Sequence, residues 1–122
     1  MILYNGCFGG ITMNLQIQID EKTNKSIVHL SGEIDVYTAP KLKDALLPIT
    51  EIKGRIIEVD LEHVNYMDST GLGVFVNALK LSKEHESKLL LVNLHERVLR
   101  LFQITGLHKI IDLNTTIRGV NE

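Results

Sequence analysis

The segment YMDSTGLGVF, residues 66–75, places one carboxylate and two hydroxyls directly before an apolar run with helical spacing. Asp68, Ser69 and Thr70 are residue types that cap helices, because their side-chain oxygens accept hydrogen bonds from the free N–H groups of a first helical turn. A serine at this position is also a candidate nucleophile, or a candidate acceptor of a phosphoryl group. The segment by itself leaves these three alternatives open.

The enzymatic alternative finds little support elsewhere in the sequence. A hydrolase serine usually lies in a G-x-S-x-G turn, but Met67 stands two residues before Ser69. The five histidines are scattered, with His63 nearest to Ser69. GLGVFV lacks the third glycine of a dinucleotide-binding loop, and neither a phosphate-binding P-loop nor H-E-x-x-H nor C-x-x-C is present. We therefore predict no catalytic residue, no metal site and no cofactor.

The phosphate alternative agrees better with the local pattern. The N-terminus of a helix tolerates an anion, because its N–H groups are free and its dipole is positive there. A phosphoserine adds a charge of about -1.5 to -2, here beside Asp68. A partner that packs on this helix end would meet that charge, so one hydroxyl can switch an interface without refolding the chain.

The elements that must position these residues alternate between strand and helix. Strands are predicted at 15–19, 26–30, 55–61, 88–92 and 109–113, from two-residue alternation or short apolar runs. A helix follows Thr38, its predicted N-cap, and Pro48 is expected to end or distort it. A second helix follows Asp68. A third is predicted to begin at an Asn93 cap and to close at Gly106. This order predicts an α/β fold with a mixed, mostly parallel sheet of four to five strands and an antiparallel N-terminal strand.

Two of the connecting loops are expected to meet. Binding sites of parallel sheets gather at the carboxyl ends of strands. The loop over 31–37 carries Glu33 and Asp35, and the segment after the next strand carries Asp68, Ser69 and Thr70. Gly71 and Gly73 lie in the first turn of the second helix, where small residues allow either close packing on the sheet or the approach of another surface.

Length and composition limit the remaining functions. The chain has 122 residues and a net charge of -2, which indicates one domain and argues against nucleic-acid binding. No apolar run approaches the roughly 20 residues that span a bilayer, so no membrane contact is expected. Cys7 is the single cysteine, which favours a reducing, cytoplasmic compartment. Residues 1–12 are predicted to be a disordered extension with Met13 an alternative start, and residues 13–122 are predicted to form the domain.

Three segments carry a resemblance to a known family: GEIDVYTAP (32–40), YMDSTGLGVFV (66–76) and ERVLRLFQITGLHKIIDL (96–113). Together they resemble the STAS-domain anti-anti-sigma factors, over about Met13 to Leu113. Thr70 stands where members of the sporulation branch often have serine, which favours the general-stress branch.

The resemblance implies a mixed sheet with helices mainly on one face, and a protein that is not an enzyme. It implies that the unphosphorylated chain binds an anti-sigma factor that is itself an ATP-dependent serine kinase, and so releases the sigma factor for stress transcription. The kinase would phosphorylate Ser69 and abolish binding, and a separate serine phosphatase would restore it. ATP belongs to the partner on this hypothesis.

The residues expected to bind the partner follow from the same resemblance. Asp35 matches the family's contact loop, and Gly71, Leu72 and Gly73 match its helix start. Glu33, Tyr66, Asp68, Ser69 and Thr70 complete the predicted surface. Glu33 and Asp35 remain equally interpretable as solvated loop charges, and Tyr66 and Met67 as core or rim. The alternatives are a STAS scaffold module of another signalling complex and a small serine hydrolase.

Overall fold

The computed structural model of the chain describes residues 2–8 and 11–114, with side chains described for residues 15–111. Strands and helices alternate along most of this part of the chain. They are β1 Ile2–Phe8, β2 Ile11–Glu21, β3 Lys25–Ile34, α1 Ala39–Thr50, β4 Ile56–Met67, α2 Ser69–Glu84, β5 Lys88–Val92, α3 Glu96–Thr105 and β6 Asp112–Asn114. A short 3-10 helix, Leu107–Lys109, connects α3 to β6.

The strands form one mixed sheet in the order β1-β2-β3-β4-β5-β6. The first two pairs, β1 with β2 and β2 with β3, are antiparallel. The other three pairs are parallel, because a helix connects β3 to β4, β4 to β5 and β5 to β6. The predicted α/β class with a mostly parallel sheet is confirmed, and the sheet has six strands where four to five were expected.

All three helices contribute to one core on one face of the sheet. Alternate residues of β4, Ile57, Val59 and Leu61, are fully buried, as expected for one side of a pleated strand. The rings of Phe75 on α2 and Phe102 on α3 lie 6.2 Å apart between centroids. The expectation that the helices pack on one face is confirmed. The other face carries exposed or half-buried side chains of β2, β3 and β4, and we call it the open face.

Strands β3 and β4 are longer than the sequence predicted. Residues 31–34 were expected in a loop and 62–67 in a connection, but both segments continue their strands. The end of β3 pairs with the end of β4, with Glu33 opposite Tyr66 and Ile34 opposite Met67. Burial of Ile34 and Met67 stabilises this extension. The two strands therefore end at the same level.

The ends of α1 and α3 differ in part from the predictions. Helix α1 continues two residues past Pro48 to Thr50. Asn93 was predicted to cap α3, and this is wrong: its side chain donates to Asp60, and His95 occupies the N-cap position without a side-chain cap. Gly106 closes α3 with a φ of 81°, as predicted. The strand predicted at 109–113 begins only at Asp112, because Lys109 ends the 3-10 helix.

Residues 1–12 differ from the predicted disordered extension wherever the structure describes them. Ile2–Phe8 form β1, which pairs with β2 from Ile2 opposite Ile19 to Phe8 opposite Ile11. An edge strand offers unpaired backbone N–H and C=O groups, and a segment that contains isoleucine, tyrosine and phenylalanine is suited to pair with it. The segment 114–122 was expected to be a helix remnant or a frayed tail. Its first residue, Asn114, ends β6, and residues 115–122 lie outside the described residues.

Candidate functional site

The segments that carry the predicted site residues lie side by side at one edge of the sheet. Because β3 and β4 are parallel neighbours, both following segments leave the sheet at their carboxyl ends. The backbone N–H of Asp68 donates to the carbonyl of Ile34 at 3.2 Å, which ties the two segments together where they begin. The predicted convergence is confirmed.

Asp68 forms the N-cap of α2. Its Oδ1 accepts hydrogen bonds from the backbone N–H of Thr70 at 2.9 Å and of Gly71 at 3.4 Å. Its backbone is extended, and its carbonyl accepts the N–H of Leu72 at 3.2 Å. The capping interpretation of Asp68 is confirmed, and the cap fixes where the helix begins.

Ser69 and Thr70 follow this cap with exposed side chains. Ser69 is the first residue of α2. Within residues 15–111, the hydrogen bonds at this helix start use the carboxylate of Asp68 and backbone N–H groups, and none involves the Ser69 hydroxyl. A change at this hydroxyl therefore breaks no described contact within the fold.

Gly71 and Gly73 have different surroundings. A Cβ atom at Gly71 would lie 2.6 Å from Cγ2 of Ile34 and 2.7 Å from Cγ of Met67, so this glycine is required for packing on the sheet. A Cβ atom at Gly73 would meet nothing within 4 Å. Leu72, between them, is buried in the core. Of these three predicted partner-binding residues, only Gly73 lies on the accessible surface.

Asp35 shapes the loop between β3 and α1. Its Oδ1 accepts hydrogen bonds from the backbone N–H groups of Tyr37 at 2.9 Å and Thr38 at 3.1 Å. The Thr38 hydroxyl donates to the carbonyl of Glu33 at 2.8 Å and accepts the N–H of Asp35 at 2.9 Å. Thr38 occupies the N-cap position, as predicted, but its side chain closes the loop and does not cap the helix. Asp35 is thus a structural residue of the loop as well as a half-buried charge.

This loop presents apolar side chains that the sequence analysis missed. Val36 and Tyr37 are 58% and 76% exposed, and Tyr66 on the neighbouring segment is 50% exposed. The sequence contained one signal of this exposure: two large apolar residues lie between Asp35 and Thr38, and Asp35 and Thr38 are residue types that favour turns. We call the accessible side chains of Val36, Tyr37, Tyr66, Ser69 and Thr70, together with Gly73, the Ser69 surface. Met67, left open as core or rim, belongs to the core.

Three acidic side chains border the Ser69 surface. Glu33, Asp35 and Asp68 lie at the ends of β3 and β4, and all three are half-buried. The carboxylates of Asp35 and Asp68 accept hydrogen bonds from nearby backbone N–H groups, as described above. The arrangement provides an anionic border to an apolar and hydroxyl-bearing surface.

The histidines do not support a nucleophilic role for Ser69. Four of the five have ring partners elsewhere: His29 contacts Asp60, and His85, His95 and His108 contact backbone carbonyls. His63, the nearest in sequence, lines a cavity of about 290 Å³ on the open face. Ser69 begins a helix on the opposite face, so His63 is not placed to serve it as a base.

That cavity borders a second polar cluster. Oδ2 of Asp60 lies 3.1 Å from Nδ1 of His29, and its Oδ1 accepts the Asn93 side-chain amide at 2.9 Å and the Glu62 N–H at 3.0 Å. Burial acts to raise the pKa of Asp60, but the hydrogen bonds from Asn93, Glu62 and His29 outweigh it, so the pKa lies below its ordinary value. Asn93 holds a φ of 59° beside this carboxylate.

Two further properties concern only the part of the chain that the structure describes. It contains no group of three or more histidine, cysteine, aspartate or glutamate side chains arranged to hold a metal ion. It also contains no helix that is both long and apolar enough to cross a lipid bilayer.

Comparisons with known proteins agree on one family. The model of the STAS domain matches residues 16–120. The anti-sigma-B factor antagonist of Bacillus subtilis is 46% identical over 107 residues, which cover 88% of this chain and 97% of that protein. The residues matched by the STAS domain model include the Ser69 segment and the strands β3 and β4 that position it.

Solved structures show the same fold. An anti-sigma factor antagonist from Mycobacterium paratuberculosis aligns with a TM-score of 0.69 and 28% identity, covering 84% of this chain and 87% of that one. The Bacillus cell fate determinant SpoIIAA in its phosphorylated form aligns with a TM-score of 0.64 and 20% identity, covering 82% and 92%. The chain therefore belongs to the STAS domain family and, within it, to the anti-sigma-B factor antagonists, which are regulatory binding proteins and not enzymes.

Proposed function

We propose that this chain is a phosphorylation-switched anti-anti-sigma factor. Its unphosphorylated form binds an anti-sigma factor that is a serine kinase, and thereby releases the sigma factor for stress transcription. The observation that carries the proposal is the exposed Ser69 hydroxyl at the capped start of α2, beside exposed apolar side chains. The name shared by relatives such as the Bacillus subtilis protein supports the choice of partner.

The Ser69 surface suits a protein partner better than a small molecule. Large exposed side chains such as Tyr37 and Tyr66 provide contact area for an interface, and tyrosines are common energetic centres of interfaces. The acidic border complements a partner with basic side chains, which accelerates association and fixes orientation. A cationic and partly apolar surface of the kinase is therefore the expected counterpart.

Phosphorylation switches this interface by charge and volume. A phosphoserine at 69 adds a charge of about -1.5 to -2 where Asp68 already contributes one negative charge. Enclosing this group in an interface without a matching cation is costly, because a buried unpaired charge loses its hydration. The fold is spared, because the Ser69 hydroxyl supports no described contact. SpoIIAA, a protein with the same fold, has a solved structure in its phosphorylated form.

The remaining components follow from this scheme. A serine phosphatase hydrolyses the phosphate and restores binding. ATP is bound by the partner kinase, and the chain itself uses no cofactor. A circuit that controls a sigma factor operates in the cytoplasm, so we place the chain there.

The test combines phosphorylation and binding. The chain is incubated with the purified anti-sigma kinase and Mg-ATP, and the modified residue is identified by mass spectrometry. We expect one phosphate, on Ser69, and a loss of kinase binding of at least about a hundredfold, which corresponds to about 3 kcal/mol. Ser69→Ala should bind the kinase and resist inactivation, while Ser69→Asp should bind more weakly with a nearly unchanged melting temperature.

Thr23→Asp is the matched control, because it adds the same charge at an exposed hydroxyl residue in the turn between β2 and β3, at the opposite end of β3 from the Ser69 surface. It should bind the kinase like the unmodified chain. Phosphate on Thr70 alone, or unfolding of Ser69→Asp, would contradict the proposal.

A further inference from the structure

Three backbone N–H groups in the first turn of α2 already have acceptors within the chain. The backbone N–H groups of Thr70 and Gly71 already donate to Oδ1 of Asp68, and the N–H of Leu72 donates to the Asp68 carbonyl. These are the groups that a phosphate at the start of a helix usually binds. In this chain a carboxylate holds two of them.

A phosphate on Ser69 thus faces competition as well as repulsion. The N–H groups of Thr70 and Gly71 donate to Oδ1 of Asp68, so a phosphate on Ser69 has to displace the carboxylate to bind them. Displacement would leave the half-buried Asp68 carboxylate without its backbone donors, and two negative groups would then share one helix end. The alternative is that the phosphate stays in water and points away from the helix.

We infer that Asp68 is a positioning residue of the switch: it keeps the Ser69 phosphate from being neutralised by the chain's own helix, so that the added charge faces the partner. This inference rests on the proposed function and concerns its regulation. It also explains how a phosphoserine at the beginning of a helix, where it would ordinarily stabilise the fold, acts instead on an interface.

Removing the carboxylate reverses the expected behaviour. In Asp68→Ala the N–H groups of Thr70 and Gly71 become free, and the phosphate takes over the cap. The second pKa of the phosphoserine, ordinarily about 6, then falls, because the dianion gains hydrogen bonds and loses a negative neighbour. Asp68→Asn separates the two effects, since asparagine retains the capping oxygen but carries no charge.

The experiment uses the full chain with phosphoserine incorporated at 69 during translation, so that no kinase is needed. Phosphorus NMR titration gives the second pKa of the phosphoserine in the unsubstituted chain, in Asp68→Asn and in Asp68→Ala. We expect the pKa to decrease in that order, with a total difference of about 0.5 to 1 unit, as for one exposed charge at contact distance. Phosphorylation should raise the melting temperature of Asp68→Ala and should not raise that of the unsubstituted chain.

A second measurement does not depend on the stability of any variant. In the phosphorylated, unsubstituted chain, the amide proton resonances of Thr70 and Gly71 should move little as the phosphate titrates, since these groups donate to Asp68. Large downfield shifts that follow the phosphate pKa would overturn the inference, as would equal pKa values in all three chains. Neither readout involves the kinase, so a failure of kinase binding would refute the proposed function and leave this result standing.

Discussion

Replacing Gly71 or Gly73 by alanine adds the same methyl group at two positions of α2 that are two residues apart. Both changes remove a glycine from a helix, which favours the helix by up to about 1 kcal/mol. The two substitutions are expected to differ in their effect on stability because the new methyl groups have different surroundings. At Gly73 the new Cβ atom meets nothing within 4 Å, whereas at Gly71 it lies 2.6 Å and 2.7 Å from side-chain carbons of Ile34 and Met67.

The magnitude follows from that overlap. Carbon atoms normally approach to about 3.5–4.0 Å, so the methyl group at Gly71 enters the space of two neighbours by about 1 Å. Ile34 and Met67 are both buried, and the clashing Cγ2 of Ile34 is attached to a branched carbon next to the backbone. Overpacking of this kind costs about 1–3 kcal/mol. We expect Gly73→Ala to be up to about 1 kcal/mol more stable than the unsubstituted chain, and Gly71→Ala to be less stable than Gly73→Ala by about 1–3 kcal/mol.

Urea unfolding of the two variants, followed by circular dichroism, measures this difference in free energy directly. Kinase affinity is measured on the same samples. If a partner approaches α2 closely at Gly73, the more stable Gly73→Ala variant should bind the kinase less tightly. Equal stability of the two variants, or a Gly71→Ala variant more stable than the unsubstituted chain, would refute the packing argument.

Three further predictions follow from the surface, the open face and the core. Tyr37→Ser should reduce kinase affinity, measured by calorimetry, about tenfold or more, because it removes a large side chain from the Ser69 surface. The melting temperature should not change, because Tyr37 is 76% exposed. The control is Ile52→Ser, which changes an exposed apolar residue after α1 and should leave the affinity unchanged. Asp60→Asn should cost about 1–3 kcal/mol at pH 7. The pKa of Asp60 in the folded chain lies below its ordinary value of 3.8, so the ionised Asp60 stabilises the fold above pH 3.8 and this stabilisation is lost as pH falls through the folded pKa. The free energy of unfolding in urea should therefore depend less on pH in this acidic range for Asp60→Asn than for the unsubstituted chain. Phe102→Ala should destabilise the fold by about 3–5 kcal/mol in the same assay, since it removes a fully buried ring that packs on Phe75.

The order of the elements after β1 and the position of Asp68 were predictable because they depend on local patterns. Two-residue alternation placed β2 and the first half of β3, apolar runs placed β5 and the first half of β4, and the cap preceded an apolar stripe with helical spacing. The ends of β3 and β4 were not predictable, because their polar residues are equally typical of loops. The strands extend to these residues because the two ends pair with each other and because Ile34 and Met67 are buried, and neither fact can be read from the sequence.

Contacts between distant residues account for the other differences. Asn93 has the composition of a helix cap, but its side chain donates to Asp60, 33 residues earlier. The two glycines of α2 are indistinguishable in the sequence, because what surrounds each Cβ position depends on β3 and β4. Val36 and Tyr37 gave too short a signal, since two apolar residues in a loop are as compatible with a core contact as with an exposed surface.

Accessibility distinguishes the two serines of α2 as candidates for the proposed phosphorylation site. Ser82 lies near the other end of the same helix, is 1% exposed, and donates its hydroxyl to the carbonyl of Leu79 at 2.7 Å. A phosphate there would require the core to open, so a kinase would have to bind a partly unfolded chain. Ser69 is exposed, and Asp68 completes the cap beside it without using its hydroxyl. Because the cap and the proposed phosphorylation site are different residues, a phosphate on Ser69 would add charge at the helix start while the interactions that hold the helix remain in place.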